Sequence, residues 1–212
     1  FKLYLSKIAR RPVSIIVPQK GNKKELLDLV GYNITTTFFT GSEHITALQK
    51  ILHLEKLPRN IECFDISHFT GTNIVASMAR FNNGLPEKKS YRKFKMRFAV
   101  TNDDYAAMRE VIKRRYAGSL KYQLKNPDLI IVDGGKGQLH AAYAVLKEIK
   151  LSIPIIALAK REEEIYTLTD DNPLHIDQKN KGLQLVQSMR DEAHRFAINY
   201  QRLLRRKEFR ST

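Results

Sequence analysis

A mixed α/β fold built on one five-stranded sheet, three strands antiparallel and then parallel ones, with helices on its flanks, is predicted for this 212-residue chain. Three observations predict it. "IECFDIS", "NIVASMARF" and "KSYRKFKMRF", between residues 61 and 98, are strand-like runs joined by short turns, one holding Gly71 and one reading "NNGLP"; hairpins make such strands antiparallel. From residue 102 onward, helical patterns alternate with continuous apolar runs, and helical crossovers demand parallel neighbours with right-handed connections. Finally, the glycine-rich turn follows the fourth strand, and neither GxGxxG nor GxxxxGK[ST] is present, which counts against a doubly wound nucleotide-binding sheet.

Each element has a local reason. "VSIIV" at 13–17 reads as a short buried strand and Lys23 to Val30 as a short helix. Ser42 caps "EHITALQKILHL", a helix expected to reach about Leu57 before Pro58 stops it. Residues 1–58 are therefore expected to form an accessory segment packed on a domain of residues 59–212. Within that domain, "NDDYAAMREVIKRRY" opens with capping residues and sets Tyr105, Met108, Val111, Ile112 and Tyr116 at helical spacing. "PDLIIVDGG" follows as a buried strand, "KGQLHAAYAVLKEI" as a helix, "IPIIALAK" as another strand and Lys181 to Lys207 as a long helix. Residues 161–179 form an excursion with a short hairpin in "EEEIYTLT". With the fourth strand placed beside the first, this is the plan of ribonuclease H-like nucleases.

Charge narrows the partners. The 37 Lys and Arg against 22 Asp and Glu give a formal charge of +15, which creates an attractive field for polyanions. The cations cluster: "KKSYRKFKMR" holds six in ten residues, including Lys88, Lys89, Arg92 and Lys93, and "RLLRRKEFR" holds five. DNA is the expected partner, bound through its phosphates. A single cysteine, Cys63, excludes an internal disulfide and a cysteine zinc site, and no apolar run approaches the roughly 20 residues of a membrane span. A reducing cytoplasm is the expected compartment, and a start at Phe1 without methionine suggests a piece of a longer protein.

An ionised carboxylate in a buried strand costs several kcal/mol unless it is paired, hydrogen-bonded or bound to a metal. Asp65 stands in such a strand, and Asp133 ends another. Side by side, the two either share a proton or hold a hard cation, and Mg²⁺ or Mn²⁺ suits their oxygens. His194 falls beside the packing stripe of the last helix (Val186, Met189, Ala193, Phe196, Tyr200, Leu203), where an imidazole is able to reach the same centre. His68 is the other histidine near Asp65; His44, His53, His140 and His175 read as surface or packing residues. Asp103 and Asp104 are both capping candidates, and the glycines of "GGKGQ" let backbone approach a ligand while Lys136 neutralises a phosphate. Basic patches alone equally fit a non-catalytic nucleic-acid-binding domain, and "DGGKGQ" a nucleotide or phosphosugar enzyme.

The stretches "IECFDISH", "NDDYAAMREVIKRRY", "PDLIIVDGGKGQLHAA", "ALAKREEEIY" and "LVQSMRDEAHRFAINYQRLLRRK" closely resemble the C-terminal nuclease region of UvrC, the incision subunit of bacterial nucleotide excision repair. The resemblance covers nearly the whole chain. It implies a metal-dependent domain that cuts damaged duplex DNA on the 5′ side of a lesion, within the complex of DNA and UvrB. It places the Asp, Asp, His triad on Asp65, Asp133 and His194, and a further carboxylate on Asp104 rather than Asp103. Lys136, Lys160, Arg195 and Arg202 join the four cations of the basic strand as expected DNA contacts. The family's other nuclease module, UvrB-binding segment and helix-hairpin-helix region have no counterpart here.

Overall fold

The computed structural model describes residues 2–14, 17–24, 27, 40–69, 73–96, 103–159 and 164–211, of which 2–3, 40–41, 68–69, 73 and 201–211 are described by backbone alone. Contacts divide the chain into two compact units, Phe1–Thr40 and Gly41–Thr212. In the first, α1 (Lys2–Ala9) ends at Arg10, whose φ of 50° leaves the helical region. The strand expected at 13–17 does not form at Val13, Ser14 or Val17, and Val17 is 61% exposed. The Val13 amide donates instead to Ser6 Oγ of α1 at 2.9 Å. Ile15, Ile16 and part of the helix expected over 23–30 lie outside the described residues; Lys23, Lys24 and Leu27 are helical.

The second unit begins around α2 (Thr40–Ile51), which stops well short of Leu57. His53 takes a left-handed φ of 49°, and the Leu54 and His53 amides donate back to the Gln49 and Lys50 carbonyls at 3.0 and 3.3 Å. This paired closure satisfies the last carbonyls and ends the helix before any proline is needed.

The sheet has seven strands instead of five: β1 (Asn60–Phe69), β2 (Asn73–Asn82), β3 (Leu85–Pro86), β4 (Arg92–Lys95), β5 (Leu129–Asp133), β6 (Ile155–Ala159) and β7 (Glu164–Tyr166). Their order is β3-β2-β1-β5-β6-β7, with β4 also on β2. The additions have local causes. Asn83 and Gly84, both at positive φ (49° and 78°), make a two-residue hairpin that starts β3 at once. Lys88–Ser90 then coil into a 3₁₀ turn, so the expected third strand forms as β4, and β3, within the expected turn, pairs with the same edge of β2. The expected hairpin after β6 supplies β7, antiparallel on β6. As expected, β1 lies between antiparallel β2 and parallel β5.

Alternation along the strands separates two cores. Phe64, Ile66, Met78, Ile130 and Val132 face α3 (Asp104–Tyr116) and α5 (Lys136–Glu148). Ile61, Cys63, Ala79, Leu129 and Ile131 face α2 and α6 (Lys181–Ser211), the last through Val186, Met189 and Ala193. Short helix α4 (Leu120–Gln123) follows α3. No helix among the described residues is long and apolar enough to cross a membrane.

Where α6 starts, Gly182 packs directly on α2: a Cβ there would lie 2.7 Å from the Leu48 nitrogen and 2.8 Å from its Cα. Alanine normally gains about 1 kcal/mol over glycine inside a helix. Here two backbones would have to separate, and overpacking costs about 1–3 kcal/mol. Gly182→Ala is therefore expected to lower stability by up to about 2 kcal/mol in urea unfolding. A gain would show that the helices part freely.

Candidate metal centre

Asp65 and Asp133 are Cα partners in the parallel β1–β5 register, so both carboxylates point to the α6 face. Asp65 is 0% exposed and Asp133 3%. Above them Ala193 lies fully buried against the sheet, and His194, the next residue of α6, overhangs Asp65 with Nδ1 3.6 Å from Oδ1. One ligand atom from each of Asp65, Asp133 and His194 falls within 4.8 Å of the others. Two carboxylate oxygens and an imidazole nitrogen are a donor set suited to a divalent cation such as Mn²⁺ or Mg²⁺. The residues present fit the expected metal.

Several neighbours hold this geometry. Ser67 donates from Oγ to Asp65 Oδ2 at 2.6 Å, and Ser77, opposite Asp65 on β2, donates to the Ala193 carbonyl at 3.1 Å. Tyr91 donates to Glu192 Oε1 at 3.0 Å and meets the Phe196 ring edge-on at 5.0 Å. Burial and the Glu192 carboxylate push the Tyr91 hydroxyl far up, so it stays a donor. Asp191 pairs with Arg190 at 2.8 Å, so the histidine's own helix does not divert it. Cys63 shares the face two residues before Asp65; burial, then Asp133 and Asp65, push its thiol well up and keep it unreactive.

Residues 49–198 match the family model described as the UvrC RNase H endonuclease domain. The chain belongs to the UvrC RNase H endonuclease domain family. It is 50% identical over 207 residues to the UvrABC system protein C of Methanospirillum hungatei, covering 98% of this chain and 40% of that protein. For the UvrABC system protein C of Pelodictyon phaeoclathratiforme the figures are 48% over 209 residues, 92% and 33%. The chain thus spans well under half the length of these relatives. Among solved structures, Ciona intestinalis endonuclease V in complex with an inosine-containing DNA aligns at 12% identity and a TM-score of 0.37, over 64% of this chain and 59% of that one.

The other residues expected to act in a UvrC-type site are spread around the centre. Asp103 takes the cap of α3, accepting the Ala106 amide at 2.7 Å, and Asp104 accepts from Gln138 Nε2 at 3.3 Å. Asp104 is not in the group formed by Asp65, Asp133 and His194. It lines a depression of about 350 Å³ with Tyr105, Gly135, Gly137 and Gln138. Two of the "GGKGQ" glycines make room for protein: a Cβ on Gly134 would strike the Gln138 side chain and one on Gly137 the Tyr105 ring, while Gly135 faces open space. Lys136 pairs with Asp171, holding that carboxyl below its usual range.

On the basic strand, Lys88 and Lys89 are exposed in the 3₁₀ turn and Arg92 donates to the Lys89 and Tyr91 carbonyls. Lys93 stands over Phe196 and Tyr200, 4.8 and 5.0 Å from their centroids. Arg195 donates twice to Glu192 at 2.7 Å and depresses its carboxyl. Lys160 and the side chains of His68 and Arg202 lie outside the described residues. Sequence reasoning missed Ser67, although a hydroxyl two residues along a strand from Asp65 shares its face. It had no signal for Ser77, Tyr91 or Gln138, whose partners are distant in sequence.

Proposed function

We propose that this domain is a divalent-metal-dependent DNA endonuclease that makes the 5′ incision in the damaged strand during nucleotide excision repair. The single observation that carries the reading is the register pairing of Asp65 with Asp133 beneath His194. Asp65, Asp133 and His194 would hold a Mg²⁺ or Mn²⁺, which would supply Lewis-acid charge favouring attack by water and departure of the 3′ oxygen. The chain's own part is to converge the ligands, and burial of both carboxylates excludes water that would screen them. The exposed cations of the basic strand bring in the phosphate backbone, which sets position and affinity rather than base preference. Lesion choice and docking on UvrB-bound DNA are assigned to the parts of the relatives beyond the matched region. The domain alone should therefore cut poorly and with little selectivity.

Incubating supercoiled plasmid with the domain in Mg²⁺, Mn²⁺ or EDTA tests the chemistry. Metal-dependent conversion to nicked circles supports it, and binding without nicking would leave a non-catalytic DNA-binding domain. The phosphate contacts are tested by salt titration. Each lost contact lowers the slope of log affinity on log salt by roughly 0.9. Replacing Lys88, Lys89 and Arg92 with alanine should flatten it by about 2–3 and weaken unrelated duplexes alike. An unchanged slope would remove this edge from the DNA surface. Lys93 is kept in that variant because its stem and charge also pack on Phe196 and Tyr200.

A further inference from the structure

We propose that Ser67 is the positioning residue of the centre, fixing the orientation of the Asp65 carboxylate for a divalent cation; this rests on the metal-dependent reading above. Ser67 and Asp65 are both buried and lie two residues apart on one face of β1. The Ser67 hydroxyl has one proton, and it goes to Asp65 Oδ2 at 2.6 Å, a length typical of a bond to an ionised acceptor. That leaves Oδ1 on the side of His194 Nδ1, 3.6 Å away. The terminal torsion of an aspartate is broad, so nothing intrinsic to the side chain selects this rotation. Repulsion from Asp133 across the register would turn the carboxylate away. The Ser67 bond opposes that turn, and partners of this kind typically change metal affinity 10–100-fold when removed.

Ser77 supplies the contrast. It is equally buried and directly opposite Asp65 in the β1–β2 register, yet its proton goes to the Ala193 carbonyl. Through that bond it ties α6 to the sheet. Its loss should cost about 1 kcal/mol of stability, the ordinary worth of one hydrogen bond.

The test is Mn²⁺ affinity, measured by electron paramagnetic resonance on the DNA-free domain, with a thermal melt for each protein. Ser67→Val and Ser67→Thr have nearly the same shape and both suit a strand, but only threonine keeps the hydroxyl. The valine protein is expected to bind Mn²⁺ roughly 10–100-fold more weakly, and the threonine protein to match the parent. Ser77→Ala should melt earlier and lose less Mn²⁺ affinity than Ser67→Val, since it acts on His194 only through the Ala193 carbonyl. Parental affinity in folded Ser67→Val, or equal losses in the valine and threonine proteins, would overturn the positioning role alone. A parent that takes up no Mn²⁺ would sink both this role and the metal-dependent reading.

Discussion

Asp65→Ala is expected to reduce Mg²⁺-dependent nicking to background while leaving DNA binding in EDTA equal to or tighter than the parent's. The two effects run in opposite directions for one electrostatic reason. With Asp133 beside it, Asp65 concentrates negative charge where a phosphate has to approach. Two like charges about 4 Å apart repel by roughly 4 kcal/mol at an effective dielectric of about 20, and metal turns the same charges into a bridge. Removing one therefore removes the bridge in Mg²⁺ and some of the repulsion in chelator. Asp133→Ala should behave alike. His194→Ala should lose nicking with little change in EDTA, because an imidazole brings no negative charge. Paired gel shifts in EDTA and nicking assays in Mg²⁺, with melts as the folding control, read all of this. Appreciable nicking by well-folded Asp65→Ala would end the metal-site assignment.

The largest stability loss is expected away from the centre, at Glu62. This carboxylate is 0% exposed on the α3 side of the sheet, three residues before Asp65. It accepts Arg80 Nη1 at 2.5 Å, Arg115 Nη2 at 2.8 Å and Nε at 3.0 Å, and the Tyr116 hydroxyl at 2.8 Å. The same two arginines reach on to the Lys125 carbonyl at 2.8 and 3.0 Å, so the network also anchors the segment leading into β5. Burial, and then Glu62, push the Tyr116 hydroxyl well up, which keeps it a donor. Removing one member of a buried pair costs about 3–5 kcal/mol, since the remaining charge stays desolvated and unanswered. Glu62→Ala would take from buried Arg115 the carboxylate it pairs with and leave Arg80 with Glu87, 3.3 Å from its Nε. Urea unfolding should show a loss of about 3–5 kcal/mol, a large share of the 5–15 kcal/mol of a typical domain. A loss under about 1 kcal/mol would mean that water reaches the arginines and the network is not dry.

Much of this was legible in residue order. The order of strand and helix patterns matches the ribonuclease H-like plan, which sets the fourth strand beside the first and so Asp65 beside Asp133, as the β1–β5 register has it. The stripe of α6 put His194 next to the sheet, although Ala197 rather than Phe196 takes the next fully buried place. Other features were read wrongly because a competing local contact won. The left-handed His53 ended α2 early, and the 3₁₀ turn at Lys88–Ser90 took the first residues of a strand expected from Lys89. The "GGKGQ" glycines suggested backbone approach to a ligand, yet two of them accommodate Gln138 and Tyr105.

By itself, the sequence determined the mixed sheet and the basic character of the strand edge, since periodicity and charge are read along the chain, while the pairing of its two aspartates followed from the ribonuclease H-like strand order. Only the tertiary structure decided which aspartate caps α3, that Ser67 spends its proton on Asp65, and that Glu62 lies beneath two arginines and a tyrosine. Glu62 meets Arg115 across 53 positions and Ser77 meets Ala193 across 116. Hydrogen bonds act over about 3 Å, so partners that far apart in the chain become known only once folding has brought them within reach.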